Sequence, residues 1–155
     1  MSPLTDPRRR VDLVFDRLPA AAFDEAIGYL RDVWRECQLV ALTASSGGRS
    51  AMDPQLVGVA AALVPDLEEL GDVLEDGQIV PLGDDLVRLE VALVVGQLAT
   101  LAHLQAQLAQ VRLLSRAGAL LATAGPEAHD VLSWLWAHAA EQLHGRPPRP
   151  YHLGS

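Results

Sequence analysis

Residues 86–111, LVRLEVALVVGQLATLAHLQAQLAQV, change period part-way along, and that change decides the fold. Val87, Leu89, Val91 and Leu93 alternate with Arg88, Glu90 and Ala92, the two-residue period of a half-buried strand. Further on, Leu98, Leu101, Leu104, Leu108 and Val111 recur at intervals of three and four, the period of a helix with one apolar face. The pattern predicts a strand over 86–93 and a helix over 95–115, stopped near Gly118.

Working outward, residues 11–18 alternate again, with Val11, Leu13 and Phe15 opposed to Asp12 and Asp16, so a second strand is expected there. Pro19 ends it, and Phe23, Ile27, Leu30 and Trp34 set a helix over 20–39. A Ser/Gly-rich loop over 43–52 leads to Asp53, an N-cap residue followed by proline at the first helical position. One helix over 54–64 and another over 66–74 are expected, separated or kinked at Pro65. A short strand over 78–82 and the tight connection Gly83-Asp84-Asp85 complete a hairpin with 86–93. Residues 119–123 read as a brief edge strand, and a last helix runs from Gly125-Pro126-Glu127 to about 144–145. The fold class is therefore α+β and helix-rich, a small mostly antiparallel sheet covered by helices on one face. Residues 1–9 read as a disordered tail, 10–145 as one domain, and 146–155 as a Pro-rich tail that extends or wraps back.

All twelve basic residues are arginine, twenty are acidic, and the net charge is −8. A chain so acidic lacks the basic surface that phosphate neutralisation requires, which argues against nucleic acid as a partner. The single basic run, Arg8, Arg9 and Arg10, is flanked by Asp6 and Asp12 and reads as a solvated tail. One cysteine excludes an internal disulfide and a Cys-based zinc cluster. No apolar signal core or membrane span is present, so no membrane partner is expected and the cytoplasm is the expected location.

Little in the chain points to a reaction. His138 and Glu141 lie three apart, but no HExxH occurs, and His138 and His144 fall on opposite sides of a helix, so no metal site is expected. Cys37 has no histidine near it in sequence and reads as a buried thiol. The loop Ser45-Ser46-Gly47-Gly48-Arg49-Ser50 lacks the lysine of a P-loop, and no GxSxG elbow or paired-carboxylate motif appears. No catalytic residue and no cofactor are expected.

Two surfaces point to binding. Residues 91–111 carry no Asp, Glu, Lys or Arg, and beside the apolar stripe lies a neutral one of Gln97, Thr100, His103, Gln107 and Gln110. Amides can be buried against a partner's amides without desolvating an ion, so two antiparallel copies would form a self-complementary interface. The same stripe could instead be covered within the chain, under the acidic segment. That segment, 53–90, holds half of the twenty acidic residues and only Arg88 as a base. Glu68, Glu69, Asp72, Glu75 and Asp76 read either as a solvated face or as a docking surface for a basic partner. The expected function is a non-enzymatic, cytoplasmic regulatory or protein-interaction domain, a homodimer through helix 95–115. The alternative is a small-molecule-binding domain or weak enzyme with a pocket between sheet and helices, near Trp34, Trp134 or Trp136.

The C-terminal third carries a recognisable pattern in Arg112, Arg116-Ala117-Gly118-Ala119-Leu120-Leu121, Pro126-Glu127, Trp134, Gln142-Leu143 and Gly145-Arg146-Pro147-Pro148-Arg149-Pro150-Tyr151. It resembles a segment of actinobacterial regulatory proteins that accompanies histidine-kinase-like ATPase modules of the anti-sigma-factor class. The chain has no asparagine, hence no N-box, and no DxGxG lid motif. The resemblance therefore implies a regulatory or scaffolding companion without an ATP site, and carries over no functional residue.

Overall fold

In the computed structural model, which describes residues 6–46 and 53–152, each change of sequence period becomes a change of element. The order is β1 (Arg10–Pro19), α1 (Ala20–Ser45), α2 (Pro54–Glu75), β2 (Gln78–Gly83), β3 (Leu86–Val94), a 3-10 turn (Val95–Gln97), α3 (Leu98–Arg116) and α4 (Pro126–Leu143). The strands form one antiparallel sheet in the order β1-β3-β2. The fold is the expected helix-rich α+β arrangement. The helices pack in a ring, α1 on α2, α2 on α3, α3 on α4 and α4 on α1, and the sheet rests its inward face on α4, α1 and α2.

The strands owe their register to two backbone devices. In β1 the pairing with β3 slips between Phe15 and Leu18, where Arg17 takes a left-handed φ of 58°. This bulge moves the alternation by one, so that Leu13, Phe15 and Leu18 all enter the core although strict alternation would put Arg17 there. Between β2 and β3, Asp84 and Asp85 both have positive φ, the type I′ pattern that matches the twist of a hairpin. β1 lies at a sheet edge, and its outer side is closed by the C-terminal region. The Gln142 side chain donates to the Val14 carbonyl at 2.8 Å and accepts from the Val14 N–H at 3.0 Å. The Tyr151 N–H donates to the Asp16 carbonyl at 2.9 Å, so the proline-rich segment wraps back, and the Tyr151 ring meets Trp134 edge-on.

Three elements depart from expectation. Pro65 does not divide α2, which is continuous from Pro54 to Glu75. Proline removes its own N–H and frees the carbonyl of Ala61, and both residues are exposed, so water can satisfy that carbonyl while Leu63 and Leu67 stay buried. α1 continues to Ser45, past the expected end at 39, with the hydroxyls of Thr43, Ser45 and Ser46 bonded to carbonyls four residues back. Residues 47–52 of the Ser/Gly loop lie outside the described residues. Residues 119–123 are not a strand, because the N–H groups of Leu121 and Ala122 donate to the Glu36 carboxylate, each at 2.7 Å. At the N-terminal end, the carbonyls of Pro7 and Arg9 accept from Gly96 and Val95, tying residues 7–9 to the start of the α3 region.

Candidate functional site

α2 has two flanks, and they are finished differently. Along the α3 flank the neutral stripe of α3 is spent on contacts within the chain. Gln97 donates to Glu69 at 3.0 Å while its carbonyl oxygen accepts from the Val94 N–H at 2.9 Å. His103 Nδ1 lies 2.7 Å from an Asp66 oxygen, and Gln107 Nε2 lies 3.5 Å from His103 Nε2. Gln110 accepts from Gln55 at 3.2 Å, and Thr100 is half-buried on the same side. Beneath them Leu101, Leu104, Leu108 and Val111 fill the core. The five residues named from sequence therefore lie on the side of α3 that faces α2.

The outward face of α3 is a different set. Ala99, Ala102, Ala106 and Ala109 are exposed at intervals of three and four, and Leu113 continues them with 56 % of its surface exposed. Their spacing stands in the sequence, but alanine fits a core or a surface equally well and did not single the face out.

Along the α1 flank, α1 and α2 border an open groove of about 790 Å³. Ile27, Leu30, Leu67, Leu70 and Leu74 form its apolar floor. Arg31 and Arg35 stand on the α1 rim, and Glu68, Asp72 and Glu75 on the α2 rim. The α2 carboxylates follow from helix spacing, since positions 68, 72 and 75 fall on one face. Half-buried Trp34 reaches across, its indole N–H 3.4 Å from Glu68. Among the described residues no ion pair crosses the groove, and Arg35 turns back to Asp32 at 3.6 Å. Gly71 sits in the α2 wall, where a Cβ would meet nothing within 4 Å, so the wall is notched.

The acidic residues named from sequence thus divide between two places. Glu68, Asp72 and Glu75 edge this groove, while Glu69, Asp72 and Asp76 line a smaller cleft of about 340 Å³ beside Arg10, β3 and Gln97. Of the three tryptophans, only Trp34 faces the groove. Trp134 is buried and stacked on His138 at 3.9 Å, and Trp136 is half-buried beside a small apolar cavity under the sheet.

Cys37 is fully buried, and burial pushes its thiol up to about 11, which keeps it protonated. His138 donates through Nδ1–H to the Trp134 carbonyl at 3.1 Å, and burial lowers its pKa from the ordinary 6.5. Among the described residues no group of three His, Cys, Asp or Glu side chains could hold a metal ion. Among the same residues no helix is long and apolar enough to cross a membrane. Comparison with protein-family models, with curated proteins and with solved structures finds no match.

Proposed function

We propose that this chain is a non-enzymatic regulatory domain that binds other proteins, and that the α1/α2 groove receives an amphipathic helix of the partner. The carrying observation is the groove's anatomy, an apolar floor between rims of opposite charge that do not pair with each other. A small-molecule site fixes its ligand with polar groups set into the recess. Here the recess is apolar and every charged group is on the exposed rim, the anatomy of helix-in-groove recognition. Residues 27–35 of α1 span roughly 12 Å at the helical rise, room for two to three turns of a crossing or parallel helix. Charge sets its orientation: a basic flank along Glu68, Asp72 and Glu75, an acidic flank along Arg31 and Arg35. The resemblance of the C-terminal third to segments of regulatory proteins fits the same role.

The test is a selection from displayed amphipathic helical peptides on the immobilised wild-type chain, with Gly71→Trp as the counter-target. Enriched peptides are expected to carry apolar residues at intervals of three and four with Lys or Arg on one flank. Their binding should weaken in high salt and fall at least tenfold on Gly71→Trp. Peptides without helical pattern, or indifferent to Gly71→Trp, would refute the assignment.

A second reading rests on the outward face of α3. Its exposed, uncharged Ala99, Ala102, Ala106, Ala109 and Leu113 suit close packing against a second copy of the same helix, which would make the domain a homodimer. Light scattering on a sizing column should then give a dimer that Ala106→Glu converts to monomer with unchanged circular dichroism. A monomeric wild type removes this reading and leaves the groove untouched.

A further inference from the structure

Separate from the α1/α2 groove, α1, α3, α4 and the 117–125 connection line a smaller pocket of about 190 Å³. Its polar lining consists of Tyr29 from α1, Arg112, Ser115 and Arg116 from α3, Thr123 from the connection and His129 from α4. Each of these side chains can donate a hydrogen bond, and no carboxylate lines the pocket. That is unexpected in a chain whose acidic residues outnumber its arginines by twenty to twelve. Neither Arg112 nor Arg116 lies within 4.0 Å of a carboxylate among the described residues.

The surrounding acids shape the pocket from outside. Glu36 accepts from the N–H groups of Leu121 and Ala122, and Glu25 accepts from the Gly125 N–H at 2.9 Å. These clamps replace strand pairing in the connection and hold it and the start of α4 against α1. Ser115 donates to the Ala122 carbonyl at 3.1 Å, which fixes the other side. Tyr29 is 4 % exposed and its ring meets His129 edge-on at 5.0 Å, forming the back wall.

We propose that this pocket binds a phosphoryl group, either free phosphate or the terminal phosphate of a small metabolite. The volume accommodates one such group, with the remainder of a larger ligand left in solvent. Arg112 and Arg116, one helical turn apart, present two guanidinium forks to a tetrahedral oxyanion, and the Thr123 hydroxyl and His129 imidazole approach it from the facing wall. The field at the site agrees with this. Burial and then Arg112 lower the His129 pKa, with Arg116 adding to the effect, while Glu25 and neighbouring Asp130 oppose it. A bound dianion would reverse the balance and draw a proton onto His129. Tyr29, whose pKa burial raises and Arg112 lowers, stays neutral throughout and serves as a donor.

The proposal is tested by following the His129 ring signals by NMR through a pH titration, with inorganic phosphate, phenyl phosphate or acetate added at matched ionic strength. Both phosphates are expected to shift the His129 signals saturably and to raise its titration midpoint, whereas acetate leaves them unmoved. Arg112→Gln/Arg116→Gln, both at exposed positions, should retain the fold and weaken phosphate binding at least tenfold. Response to free phosphate alone would assign the ion, and tighter response to phenyl phosphate would assign a phosphomonoester. An equal response to acetate would overturn the assignment of a phosphoryl ligand. No response, or an equal response in the double variant, would overturn the site.

Discussion

The two flanks of α2 show how one helix can be sealed on one side and left available on the other. Toward α3, the polar side chains are mostly neutral and interlock in pairs, Gln55 with Gln110 and Gln97 with Glu69, with the His103–Asp66 contact between them. Toward α1, Arg31 and Arg35 face Glu68, Asp72 and Glu75 with no ion pair across the gap among the described residues, and the Trp34 indole reaches over to Glu68. Amides and partnered carboxylates, Glu69 with Gln97 and Asp66 with His103, can close an intramolecular contact, whereas carboxylates and guanidinium groups without a partner stay in water. The charged rims of the α1/α2 pair therefore stay in solvent above an apolar floor. The neutral residues of α3 find partners on the chain's own α2, while His103 keeps half of its side chain exposed.

The contrast between the flanks is broken most severely at its base. Leu104, fully buried under the α3 flank, should cost about 2–5 kcal/mol on truncation to alanine. Leu70 in the groove floor is only half-buried, and Leu70→Ala should cost clearly less in urea titrations of the two variants. Equal losses would mean that the groove is closed in solution. Next in size, Gln97→Ala strips partners from the Val94 N–H and Glu69 and should destabilise by about 1–2 kcal/mol. Gly71→Ala, on the open flank, should instead stabilise by about 0.5–1 kcal/mol, since α2 gains helix propensity and the new methyl meets nothing. Thermal melts of both variants measure this opposition of sign.

A smaller, graded effect comes from acid and lies outside both flanks. Burial lowers the pKa of His138 and of His129 from the ordinary 6.5, so the folded state resists protons that the unfolded chain accepts. Stability is full above 6.5 and falls as the pH drops from there through the lower folded-state values. Denaturant midpoints measured from pH 7.5 to 5 should decline, and His138→Gln should flatten the decline.

Much of the architecture was legible in the chain, and the exceptions have physical causes. The switch of period between Leu93 and Leu98 gave β3 and α3, and Asp53-Pro54 marked the start of α2, where the aspartate accepts from the Gln55 N–H at 2.9 Å. The bulge at Arg17 was not legible, because a left-handed arginine has no local signature and reveals itself only through its pairing with β3. Pro65 misled because its effect depends on whether the freed carbonyl faces water. Residues 119–123 have the composition of a strand, but Glu36, distant in sequence, claimed their N–H groups. Of the site, the residue types were visible and the neighbours were not. Glu68, Asp72 and Glu75 stood out as acids, yet only the packing of α1 on α2 turns them into one rim of a groove that contains Trp34.

The most direct measurement is an NMR footprint of a selected helical peptide on the isotope-labelled domain. Amide shifts are expected to concentrate on residues 27–35 of α1 and 67–75 of α2, with the α3 flank silent. Shifts centred on residues 99–113 of α3, or none in the groove at saturating peptide, would contradict the assignment of the open flank as the partner-binding surface.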